Sequence, residues 1–118
     1  MKHEILFSQD MIFSNGTFTV VVSTETPFVP EIGTTCNLSP QMIGTVERVS
    51  HFQKKDEQLD RWETYIFLST SDTFKDTEFS EHFLNDRPEF KEVEFVSGVG
   101  ASVGFSKDEG FYVNQMCQ

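Results

Sequence analysis

The alternation of apolar and polar positions is cleanest on either side of Asn15-Gly16. That dipeptide suits a two-residue type I′ turn, whose central positions both need a positive φ. Pairing Ser14 with Thr17 sets Phe13 opposite Phe18 and Met11 opposite Val20, with Val22 on the same face. Ser14, Thr17, Thr19 and Ser23 fall on the other face, while Ile12 and Val21 break the pattern. The prediction is a hairpin of strands at 9–14 and 17–23, each apolar on one side. Glu4-Ile5-Leu6-Phe7-Ser8 reads as the beginning of the first strand.

Pro27, Pro30 and Gly33 then turn the chain. Met42 to Phe52 reads as a strand, but Ile43, Val46 and Val49 do not alternate, and a bulge near Gly44 would reconcile them. The charged run Lys54-Lys55-Asp56-Glu57-Gln58 is a turn. Arg61 to Ser69 is the strongest strand, with Trp62, Ile66 and Leu68 on one face and Tyr65 and Phe67 on the other. Bulk on both faces predicts a central strand covered on both sides.

Residues 72–86 carry the helical pattern. Ser71, Asp72 and Thr73 offer N-caps, Phe79 and Phe83 sit at i, i+4 beside Leu84, and Pro88 ends the run. Phe90 to Val96 predicts a further strand with Val93 and Phe95 inward and Glu92 and Glu94 outward. After a glycine-rich bend, Phe111 to Met116 closes the sheet. The expected fold is α+β and mostly β: about six antiparallel strands in a small barrel or curled sheet with one helix, as a single domain over 1–118.

Composition supports this reading. The chain has 13 Phe and a single Ala, Ala101, which favours sheet surfaces over a helical bundle. At 118 residues it can bury one core without disulfide staples. Its net charge is −10, and half of that lies in residues 71–94, where eight acids face three bases. Such a field repels nucleic-acid phosphates and anionic membranes and favours a basic protein partner. Neither a signal-peptide pattern nor a run of about 18 apolar residues occurs, so a cytoplasmic location is expected, with Cys36 and Cys117 as free thiols.

Motifs for chemistry fail on context. Gly98-Val99-Gly100-Ala101-Ser102-Val103-Gly104 misplaces the third glycine of a dinucleotide loop and leads into a strand, so a bulged hairpin is expected. Gly100 to Gly104 also matches the letters of a nucleophile elbow around Ser102, but no crossover helix follows. His3, His51 and His82 show no metal spacing. His82 sits four residues after Glu78, which suits an exposed helical pair. His51 could meet Cys36 or an acid only through the fold. The carboxylate pairs Asp60/Glu63 and Glu92/Glu94 read as a solvated face, and Asp72, Asp76 and Glu78 do not match a calcium loop. No cofactor, metal or catalytic residue is expected.

Phe28, Phe52, Phe74, Tyr65 and Phe105 exceed the obvious needs of one small core, and exposed aromatics ringed by acids would make a protein-binding face. The functional expectation is an acidic protein-interaction module, such as an inhibitor, an immunity protein or a counter-defence protein. Its partner-binding residues would be Asp76, Glu78, Glu81, Glu92 and Glu94. The alternative is a self-assembling accessory protein of a virion or other large complex, a homo-oligomer built through its aromatics and strand edges. A small enzyme or ligand-binding barrel using His51, His82, Ser102 and the cysteines is the third reading.

Overall fold

A computed structural model describes residues 2–26, 28–38, 41–55 and 60–113, with Lys2 and Asp60 described by their backbone alone. Pro27, Asp56, Glu57, Gln58, Cys117 and residues 114–116 therefore lie outside the described residues. The strands are β1 (Lys2–Phe13), β2 (Gly16–Ser23), β3 (Thr35–Leu38), β4 (Met42–Lys55), β5 (Asp60–Ser71), β6 (Glu94–Ser97), β7 (Val103–Ser106) and β8 (Gly110–Val113). One helix, α1 (Glu81–Asp86), precedes a 3-10 turn at Pro88–Glu92. The chain is mostly β with one helix, as its pattern predicts.

All eight strands form one sheet in the order β3-β4-β5-β1-β2-β6-β7-β8. The β1–β2 hairpin lies in the middle, flanked by two antiparallel meanders. Where the sequence predicts about six antiparallel strands, there are eight among the described residues, and β5 returns beside β1 in parallel. Parallel neighbours need a long crossover, here everything from β2 to β4. The sheet is open rather than a barrel: among the described residues β3 and β8 pair with nothing on their outer edges.

The hairpin register differs from the predicted one by two residues. Phe13 pairs with Gly16 and Met11 with Phe18, leaving Ser14 and Asn15 in the turn. An even shift preserves the faces, so Met11, Phe13, Phe18 and Val20 are all buried as predicted. Gly16 takes φ 141°, and a Cβ there would lie 2.8 Å from the Ala101 Cα, so only glycine fits this approach.

The bulge in β4 falls between Val46 and Arg48, not at Gly44. Gly44 stays in regular pairing with Cys36, and the Gln9 amide passes over it. The Gln9 Nε2 donates to the carbonyls of Ile43 at 2.9 Å and Ser69 at 2.8 Å. A Cβ on Gly44 would sit 2.8 Å from that nitrogen.

β5 is central, with its inner face fully covered and its outer face covered only in part. Thr64, Ile66 and Leu68 are buried on the inner face, whereas Tyr65 and Phe67 are half-buried on the outer face. They stack on each other at 6.1 Å, with Phe52 edge-on to Tyr65 and the Arg48 guanidinium 4.2 Å above Phe67. A cation and two neighbouring rings shield what a second layer would otherwise cover.

The helix is shorter than predicted. Ser80, not residues 71–73, is its N-cap, and its hydroxyl accepts from the Phe83 N–H at 3.3 Å. Residues 73–76 form a turn and 77–80 an irregular connector instead, because their backbone is held by the hairpin. Thr77 O accepts from Ser14 N–H, and the Phe79 peptide is bonded on both sides by Asn15. Phe79 and Phe83 still meet, 6.0 Å apart. The predicted strand from Phe90 likewise begins only at Glu94, because Pro88 starts a 3-10 turn that buries Phe90.

These short elements cap the inner face. Phe13 lies at the centre, within 5.2 to 6.4 Å of the rings of Phe18, Phe74, Phe79, Phe83 and Phe95. Tilted and edge-on pairs dominate, the arrangement that ring quadrupoles favour. Phenylalanine thus builds the core that leucine and alanine build elsewhere, and Phe74 and Phe105 belong to it rather than to the surface.

An acidic groove as the candidate functional site

The register places an acidic groove on the outer face. Leu6 of β1 lies opposite Ser23 of β2, and Val21 of β2 lies opposite Glu94 of β6. The 3-10 turn delivers Glu92 to the same side, and the turn between β7 and β8 brings Lys107 and Asp108. With Glu4, these residues enclose a hollow of about 330 Å³. Its floor is apolar, formed by half-buried Leu6 and Val21. Its walls carry four carboxylates against one ammonium.

The negative potential extends to a neighbouring phenol. The Tyr112 hydroxyl donates to the Phe95 carbonyl at 3.1 Å. Burial pushes its pKa above the ordinary value, and the Glu94 and Glu109 carboxylates push it further. The Tyr112 ring lies over Gly104, where a Cβ would be 2.6 Å from it. That contact explains a glycine inside β7.

Of the five predicted partner-binding acids, the groove gathers Glu92 and Glu94. Glu81 opens instead on a hollow with Leu84, Asn85, Lys91 and Phe111 on another side of α1. Asp76 and Glu78 are exposed on the connector before the helix. Sequence reasoning missed Glu4 and Asp108, which come from the first strand and the last turn and have no local signal linking them to 92–94.

Gly98 N–H donates to Thr17 O, Thr17 N–H to Val99 O and Ala101 N–H to Gly98 O, so the glycine run is a turn bound to β2. Strand β7 follows it, as expected. Ser102 is exposed and has no hydrogen bond to a histidine or carboxylate among the described residues. With Glu78 outside the helix, His82 pairs with Asp86 at 3.3 Å on the surface. Glu63 is buried with Lys54 Nζ at 3.1 Å and Arg61 at 3.7 Å.

Burial pushes the Cys36 thiol up, which keeps it protonated and a poor nucleophile. Among the described residues His51 meets neither Cys36 nor an acid. Its Nδ1 is 2.9 Å from the Thr64 hydroxyl, which is also 2.6 Å from His3 Nε2. Among the described residues no three His, Cys, Asp or Glu side chains gather as a metal-ligating group, and no helix is long and apolar enough to cross a membrane. No family model, curated protein or solved structure matches the chain, so the groove has to be read from its own chemistry.

Proposed function

We propose that this chain is an acidic protein-interaction module that binds a basic segment of a partner protein in the groove of Glu4, Glu92, Glu94 and Asp108. The observation that carries the reading is the pairing of an apolar floor with carboxylate walls. A lysine or arginine side chain has the matching chemistry, since its methylene stem packs on Leu6 and Val21 while its head meets carboxylates. Exposed acids of the same sign on the 72–81 segment raise the rate of encounter, and the groove supplies the stay. An inhibitor, immunity or counter-defence protein acting in the cytoplasm on a nucleic-acid-binding target would work this way. Affinity capture from host lysate, washed at stepped salt, tests it. The expected result is one basic protein retained at low salt and released as salt rises. A lysate yielding no basic partner contradicts the reading.

A second reading has its own support. Phe52 is 47% exposed beside half-buried Tyr65 and Phe67 on the open sheet face, a patch suited to self-assembly. Sedimentation across a hundredfold concentration range tests it: oligomers that dissociate on Phe52→Ser support it, and a monomer throughout rejects it.

A further inference from the structure

One row of side chains crosses the outer face of the sheet. Arg48 of β4 lies opposite Phe67 of β5, and Phe67 lies beside Ser8 of β1. Ser8 lies opposite Val21 of β2, and Val21 opposite Glu94 of β6. Facing residues of neighbouring strands share a side of the sheet, so these five point the same way. The two ends of the row carry opposite charge. Arg48 and Glu94 are both exposed, and neither makes an ion pair among the described residues. Lys54 and Arg61, also on β4 and β5, are instead engaged with Glu63. Four strand spacings of ~4.8 Å put the ends about 19 Å apart, well beyond the Debye length of about 8 Å at physiological salt. Arg48 therefore cannot serve the acidic groove of its own chain. Between the ends, half-buried Phe67 and Val21 offer apolar surface on either side of Ser8.

Building on the self-assembly reading above, we propose that two copies of the chain pair outer face to outer face about a two-fold axis running along β1. Each copy then seats Arg48 in the acidic groove of the other, beside Glu94. β1 is the middle strand of the five that carry the row. Rotation about it reverses the strand order of the second copy and keeps each position along the strands. β4 of each copy thus lies over β6 of the other, Arg48 faces Glu94 twice, and Phe67 faces Val21 twice. An axis across the strands would instead set Arg48 on Arg48 and Glu94 on Glu94, which like-charge repulsion disfavours. The guanidinium–carboxylate pairs fix the orientation, and the apolar middle is removed from water. Because Arg48 occupies the groove in this dimer, self-association and capture of a basic partner exclude one another.

Sedimentation velocity of the full chain at about 0.15 M salt, with charge reversals at the two exposed ends, tests this dimer. Arg48→Glu and Glu94→Arg should each weaken it by about tenfold or more, because like charges then meet at both ends. Mixing the two variants one to one should restore a dimer, since every contact again joins opposite charges. The double variant Arg48→Glu/Glu94→Arg should dimerise on its own for the same reason. Restoration also shows that both variants are folded. A wild type that stays monomeric throughout overturns this dimer and the self-assembly reading together. Oligomers that dissociate on Phe52→Ser but are indifferent to both charge reversals leave self-assembly standing and overturn the charge-paired geometry. Loss in the single variants with no restoration, in the mixture or in the double variant, overturns it as well.

Discussion

Asn15 and Phe79, 64 residues apart, hold each other by a reciprocal pair of hydrogen bonds. The Asn15 Nδ2 donates to the Phe79 carbonyl at 3.1 Å, and the Phe79 N–H donates to Asn15 Oδ1 at 3.0 Å. One side chain thus imitates a β-bridge and locks the hairpin turn to the connector that leads into α1. Asn15→Ala removes both bonds and should destabilise the fold by about 1–3 kcal/mol, read as a shift of the urea midpoint. Asn15→Asp keeps the acceptor for the Phe79 N–H but turns a carboxylate oxygen against the Phe79 carbonyl, so it should destabilise as well.

Gly16 and Gly100 both take positive φ, but only one is crowded. Nothing lies within 4 Å of a Cβ on Gly100, whereas a Cβ on Gly16 meets Ala101 at 2.8 Å. Gly100→Ala should cost about 1–2 kcal/mol for its backbone conformation alone. Gly16→Ala must also separate the hairpin from the Ala101 turn and should cost clearly more. Denaturant unfolding of the two variants side by side measures the difference.

Phe13 touches five other phenylalanine rings, so its removal leaves a cavity that rigid neighbours cannot readily fill. Phe13→Ala should destabilise by about 3–5 kcal/mol. Phe52→Ala, on the exposed face, should be close to neutral. Thermal unfolding of both variants checks the contrast.

Tyr112 gives a signed pH dependence. Its pKa is raised in the fold, so the folded state keeps the phenolic proton after the unfolded chain has released it. The stabilisation from Tyr112 is complete below the unfolded value of about 10. It is lost as pH rises from there through the folded pKa. Phenolate absorbance near 295 nm should show one tyrosine titrating late in the native protein. Glu94→Gln removes a neighbouring carboxylate and should bring that titration to lower pH.

Much of the strand content was legible because period-two patterning is local. Met11, Phe13, Phe18 and Val20 could be assigned to one face even though the register was two residues off, since an even shift keeps every side chain on its side. The helix was overextended for a non-local reason: the Phe79 N–H that a longer helix would need is taken by Asn15. No local signal marks the parallel β1–β5 pairing, and with it went the meeting of His3, Thr64 and His51. Of the acidic site, Glu92 and Glu94 could be read as a pair from their spacing. Glu4 and Asp108 join them only through the sheet order.

The most direct test of the groove compares two charge reversals that change net charge equally. Glu92→Lys/Glu94→Lys alters the groove walls, while Asp76→Lys/Glu78→Lys alters the exposed connector. Affinity for the captured basic partner is measured for both variants at one fixed salt concentration. The groove reversal should abolish binding, and the connector reversal should retain it with a slower association rate. Equal loss in both, or no loss in the groove variant, would show that the groove is not where the partner binds.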